Sequence, residues 1–215
     1  KTPEIGEGPF DGQAITLESG KAIQKRVGGY NETPFDESAK SNAILSVAAG
    51  KGYNGSDALS VYKGGKVTAP DEKGRIDNTA MAVSLDSVTE IGKTRYLRMW
   101  VDFSKVDFRE ASFGLVGTDG TIYTTDNKNE AGTYFFYLAE GQERWKTYRN
   151  GGDGCFGANQ GASVKGFKGF MAFPVSDFVS ADGTALTSAT QVKEMYMFFD
   201  YSDVSLLGKG FYLDE

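Results

Sequence analysis

The sequence predicts an all-β fold: a β-sandwich of the jelly-roll kind, two antiparallel sheets in a single domain over residues 1–215. Three observations carry that expectation. Short runs of alternating apolar and polar residues recur along the chain, each bounded by turn formers. Glycine is abundant at 28 residues, proline is scarce at 5, and aromatics reach 13%, which is the mixture that many strands with tight turns require. No stretch carries the period of a long helix, and no internal repeat or heptad pattern is present.

Taken in order, residues 1–12 are rich in proline, glycine and acid and read as surface chain. Residues 13–17 and 21–27 are weakly alternating strand candidates. Residues 28–41, with Pro34, read as a loop. Residues 42–48 carry Ile44, Leu45 and Val47 and form a strand; residues 50–57 loop out with Tyr53 near the tip. Residues 58–63 alternate well until Gly64-Gly65 breaks them, and residues 67–78 form a polar flap. Residues 79–85 place Met81, Val83 and Leu85 on one face, and residues 94–104 make the next strand.

Residues 111–116 and 121–125 flank Gly117-Thr118-Asp119-Gly120, a hairpin signal with Asp-Gly at its centre. Residues 132–140 and 143–149 pair around Gly141-Gln142. Residues 150–162 are too rich in glycine to be regular. Residues 167–173 form a strand that Pro174 ends, and residues 176–178 turn. Residues 192–201 alternate again, and residues 210–214 close the chain. The count is roughly ten to thirteen strands, and no shift in composition divides them into two domains.

Composition excludes several functions. Apolar residues at 40% and charged residues at 24% describe a globular chain. The net charge of −6 argues against a nucleic-acid partner and, more weakly, against polyanionic ligands such as pectate, unless a local basic patch overrides the average. No apolar run reaches membrane-spanning length. The one cysteine, Cys155, precludes an intrachain disulfide and argues against a cysteine-based metal site. Histidine is absent, which excludes Ser-His-Asp and Cys-His chemistry, histidine-ligated zinc and histidine bases. No signal-peptide pattern is read. Lys1 is not a natural start, so the expectation is that a signal or upstream domain has been removed. Asn54-Gly55-Ser56 matches a glycosylation acceptor, a match that is common by chance.

The most informative run is residues 96–103. Leu97, Met99, Val101 and Phe103 fall on one side of an extended chain, and Tyr96, Arg98, Trp100 and Asp102 on the other. The first set is a core face. The second joins two rings to two opposite charges, which suits a sugar: the ring covers the apolar C–H face, and charged or amide groups pair with the hydroxyls. Trp145 alternates with Thr147 and Arg149, while Lys146 shares its face with Arg144 and Tyr148; with Trp145 in the core, Tyr148 faces outward. Tyr196 and Asp200 stand opposite Met195, Met197 and Phe199 and are ligand-face candidates by the same logic. Tyr53, Tyr134 and Tyr137 are candidates from loops or neighbouring strands.

Residues 56–62, residues 167–178 (the strand that runs into Phe-Pro-Val-Ser-Asp-Phe) and residues 210–214 (Gly-Phe-Tyr-Leu-Asp) occur in that order, with the strand at 97–101 between the first two. As an ordered set they resemble the β-jelly-roll carbohydrate-binding modules attached to bacterial plant-cell-wall hydrolases, above all those that bind β-glucans in a cleft. The resemblance spans roughly residues 56–214; the first 55 residues and residues 150–162 match no such pattern. It implies a non-catalytic, secreted or cell-surface module that binds β-glucan or a xyloglucan-type hemicellulose and targets an attached catalytic domain. It also implies a structural calcium joining the two ends of the chain, with Asp11 and Asp214 as candidate ligands.

Two other readings stand beside it. A glycoside hydrolase needs two carboxylates about 5–9.5 Å apart, but no Glu-x-Asp-x-x-Glu run exists, and the acids at 126/130 and 140/143 lie at strand ends. A cell-surface adhesion domain would use the Tyr96/Trp100 face as an apolar patch.

Overall fold

The structure is a computed structural model and describes residues 24–28, 43–63, 79–128, 132–206 and 208–214. Among these residues twelve strands form: β1 (Gln24–Gly28), β2 (Ala43–Ala48), β3 (Ala58–Lys63), β4 (Thr79–Glu90), β5 (Tyr96–Asp102), β6 (Phe108–Gly117), β7 (Ile122–Thr124), β8 (Tyr134–Ala139), β9 (Lys146–Arg149), β10 (Lys168–Pro174), β11 (Gln191–Tyr201) and β12 (Gly210–Asp214). The surface stretch at 1–12, the strand candidate at 13–17, the loop at 28–41 beyond Gly28 and the flap at 67–78 lie outside the described residues.

A five-stranded sheet has the order β1-β4-β11-β6-β7, and a seven-stranded sheet has the order β2-β3-β12-β5-β10-β8-β9. Every strand pairing is antiparallel. The chain crosses between sheets at β3, β4, β5 and β6 and again at β10, β11 and β12, the back-and-forth order of a jelly roll. The expected all-β, two-sheet sandwich is therefore the architecture found.

Alternation sets the layers. Leu97, Met99 and Val101 from β5, Met81 and Val83 from β4, Phe113 and Leu115 from β6, and Met195, Met197 and Phe199 from β11 all point between the sheets and are buried. The centre of this core is aromatic, and one ring comes from the glycine-rich segment predicted to be irregular. Phe156 lies 5.9 Å from Phe113 on the five-stranded sheet and 5.8 and 6.0 Å from Phe135 and Phe173 on the seven-stranded sheet. Its backbone bridges Ala111 in both directions, at 2.7 and 3.0 Å. Gly157 permits that approach: its φ is +134°, and a Cβ there would stand 2.4 Å from the carbonyl oxygen of Arg109.

A smaller apolar cluster lies on the outer side of the five-stranded sheet, where Ala80, Ala82, Val116, Tyr196 and Phe198 meet Cys155. Asp200 is fully buried on that side. The β6–β11 register shifts there, so both Arg109 and Glu110 meet Asp200. Arg109 donates through Nε at 2.7 Å and through its second nitrogen, and the Glu110 amide donates at 2.8 Å. Burial raises the Asp200 carboxyl to about 6 against the opposing pull of Arg109.

Because the folded pKa of Asp200 lies above its unfolded value, the stability it contributes is full in acid and is lost as pH rises toward about 6. Removing Arg109 removes the force that lowers the carboxyl, so Arg109→Met should cost about 3 kcal/mol at pH 8 and clearly less at pH 5, read from urea midpoints at each pH. Phe156→Ala should cost about 3–5 kcal/mol in the same assay.

Candidate functional site

The outer side of the seven-stranded sheet carries two cross-strand rows. Leu138 of β8 stands opposite Phe170 of β10, Phe170 opposite Trp100 of β5, and Trp100 opposite Asp214 of β12. One step along, Lys168 stands opposite Asp102, Asp102 opposite Tyr212, and Tyr212 opposite Ser60. Neighbouring strands lie about 4.8 Å apart, so each row runs across the strands like a shelf. Leu138, Phe170 and Trp100 of the first row and Lys168, Asp102 and Tyr212 of the second floor a groove of about 680 Å³.

The loop before β3 forms one wall. Its Tyr53 amide donates to Asp214 Oδ2 at 2.8 Å, and the Ser56 hydroxyl donates to the same oxygen at 2.5 Å. Gly52 lets the loop come that close, since a Cβ there would meet Asp214 Oδ2 at 2.2 Å. The clamp sets the Tyr53 ring edge-on to Phe170, with centroids 4.8 Å apart and planes at 69°. Tyr53 remains 39% exposed, so this ring is presented to solvent. Glu140 and the Gly141-Gln142 turn form the opposite wall.

Three of the candidates read from the sequence, Tyr53, Trp100 and Asp102, line the groove, though not in the roles expected. Trp100 does lie on the non-core side of β5, but it is only 4% exposed: its strand is flanked on both sides, and the Lys168 ammonium lies 5.9 Å from its ring centroid. It supports the floor and is not an open platform. Arg98 lies over Phe170 at 5.4 Å, and Tyr96 packs edge-on against Phe136 at 5.7 Å. The Asp102 carboxylate accepts from the amide and the hydroxyl of Ser104 at 2.9 and 2.5 Å. Trp145 is 3% exposed and packs against Phe170 from the outer side.

Tyr148 corrects the expectation that it faces outward when Trp145 is buried. It turns to the inner side, packed edge-on against Phe135 and Tyr137 at 5.6 and 6.0 Å. Trp145 is buried outside the inter-sheet core, so its burial does not send Tyr148 to the surface.

Tyr196 belongs to the other sheet. It lines a recess of about 560 Å³ with Asp126, Asn127, Ser180 and Asp182. Burial, followed by the nearby charges of Asp126 and Cys155, raises its hydroxyl well above the ordinary tyrosine value.

Phe170, Tyr212 and Lys168 were not predicted for the groove. The runs Phe-Met-Ala-Phe and Phe-Tyr-Leu are apolar in both registers, so alternation gave no sign of which side faces out.

For the expected calcium, the described residues offer no grouping of three histidine, cysteine, aspartate or glutamate side chains. Asp214 Oδ2 is committed to an N–H and an O–H donor, and Asp11 lies outside the described residues.

No family model and no curated protein sequence matches the chain. Solved structures do. One is the family 11 carbohydrate-binding module of a cellulosomal cellulase of Clostridium thermocellum, at 12% identity and a TM-score of 0.37, covering 94% of this chain and 93% of that one. A second is a Clostridium thermocellum endo-1,4-beta-D-xylanase 10B, its CBM22-1 and GH10 modules complexed with xylohexaose, at 11% identity and a TM-score of 0.30; the match covers 80% of this chain and 23% of that one. A third is a xylan-binding domain of family 22, at 12% identity and a TM-score of 0.30, covering 96% and 92%. What those proteins bind is a property of those proteins.

Asp214→Ala should free the wall of the groove. The Tyr53 amide is expected to exchange its hydrogen at least about tenfold faster, with a global loss of about 1–3 kcal/mol; unchanged exchange at Tyr53 would show that the clamp does not hold the loop.

Proposed function

We propose that the chain is a single non-catalytic domain that binds a plant cell-wall polysaccharide along the outer face of the seven-stranded sheet. The observation that carries this reading is the Tyr53 ring, clamped at the rim of a groove floored by Phe170 and Tyr212. Rings of this kind cover pyranose faces, and the amide and charged groups beside them pair with hydroxyls. β-Glucan and xyloglucan-type hemicelluloses are the ligands named by the resemblance in the sequence. In this reading the domain acts outside the cytoplasm and brings an attached catalytic domain to its substrate.

Among the described residues, the acids of the groove and of β11 are not placed for glycoside cleavage. In the groove Asp102 caps its own turn and Glu140 pairs with Lys168 at 3.3 Å while 62% exposed. On the other sheet the buried acids Glu194 and Asp200 are six residues apart on one strand, about 20 Å at strand rise and too far to flank one bond.

A second reading places the glycan at the Tyr196 recess, because Tyr196 is bordered there by Asp126, Asn127 and Asp182. Affinity electrophoresis in β-glucan and xyloglucan gels separates the two. Tyr53→Ala should weaken retention by about tenfold or more, about 1.4 kcal/mol, with the melting temperature kept. Asp182→Ala should leave retention unchanged; the reverse pattern would move the site to Tyr196. Purified protein should release no reducing sugar from either glucan on long incubation, and sustained, dose-dependent release would make it an enzyme.

A further inference from the structure

The groove does not end at β12. Lys105, Gly210 and Tyr212 also line a second recess of about 530 Å³, which carries the trough on toward Tyr62 of β3. Tyr62 is 40% exposed and sits opposite Gly210 in the β3–β12 pairing, so its ring stands beside a position that has no side chain.

The charge along this trough is opposite to that of the whole chain. Lys51, Lys105 and Lys168 line the groove, and Lys209 lines the recess beyond it. All four are exposed. Among the described residues, Lys168 pairs with Glu140, while the ammonium groups of Lys51, Lys105 and Lys209 have no carboxylate partner. Two acids line the trough, Asp102, whose Oδ1 accepts from the Ser104 amide and hydroxyl, and Glu140; against the four lysines they leave two positive charges in excess. The net charge of −6 therefore gives way here to a local positive surplus.

Lysine has three donors and no acceptor. A neutral sugar hydroxyl both donates and accepts and is matched as well by an amide or a carboxylate. Lysines without a partner carboxylate, set beside exposed rings, call for an acceptor with full negative charge.

We propose that the ligand of this trough is an acidic glycan: a hemicellulose whose side chains carry uronate groups. Its sugar backbone lies across Tyr53, Phe170 and Tyr212, and its carboxylates meet Lys105 and Lys209. The proposal rests on the reading of the groove as a glycan site and names the class of glycan.

The test uses glucuronoxylan and the same polymer with its carboxyl groups chemically reduced, with neutral β-glucan and polyglutamate as further probes, all measured by titration with the full chain at low salt. Binding to glucuronoxylan should be at least about fivefold tighter than to its reduced form, as expected for two exposed ion pairs. The preference should vanish above roughly 0.5 M salt. It should also vanish in the Lys105→Gln/Lys209→Gln variant, whose two positions are exposed and whose melting curve should match the parent. Equal binding to the two xylans overturns the proposal but leaves the groove as a glycan site. Binding to polyglutamate as tight as to glucuronoxylan reduces it to ion exchange and also overturns it. No binding to any of the three sugar polymers overturns both readings. The parent-chain comparison and its salt dependence decide the matter even if the variant fails to fold.

Discussion

Phe156 is the contact on which the two sheets depend. Its ring reaches the core from a segment outside both sheets, touching Phe113 on one side and Phe135 and Phe173 on the other. Two twisted sheets can slide over one another unless side chains interdigitate. A ring that fits against both sides at once removes that freedom. The backbone bonds to Ala111 fix where the ring enters, and the absent side chain at Gly157 lets the segment lie flat against β6. The register between sheets is thus set from the edge as well as from within the strands.

A fixed core makes the outer shelf possible. Successive residues of a strand point to opposite sides, so Met99 and Val101 facing inward oblige Trp100 to face outward, and Met171 obliges Phe170. The outward side is then built in two depths. Trp100 and Trp145 fill the lower level, and Tyr53, clamped by Asp214, reaches the upper one. Charge follows the same division. The carboxylates at the floor are engaged within the protein, and the ammonium groups stand outward.

Strands whose two sides differ in polarity were legible in the sequence. β5 and β11 announce the side that faces between the sheets by simple alternation, and the β6–β7 hairpin is marked by Asp119-Gly120. Phe156 was not legible, because a lone ring in a glycine-rich run has no period and its partners lie in three other elements, β6, β8 and β10. The side of β5 that carries Trp100 was read correctly, but its exposure was not, since what encloses it comes from β10 and β12 more than sixty residues further on. Tyr148 was misplaced because residues 144–149 put polar and aromatic groups in both registers. The basic trough was hidden by averaging: its lysines are spread over more than 150 positions and converge only when β3, β5, β10 and β12 pair.

The burial of both tryptophans has an optical consequence. Trp100 and Trp145, the two indoles of the chain, are 4% and 3% exposed. Their emission reports the integrity of the sandwich, and that of Trp100 also senses the groove, which this residue lines beside the Lys168 ammonium. In the proposed reading a docking sugar would touch the phenol of Tyr53, which is 39% exposed, and the absorbance of that ring would be an intrinsic signal of occupancy.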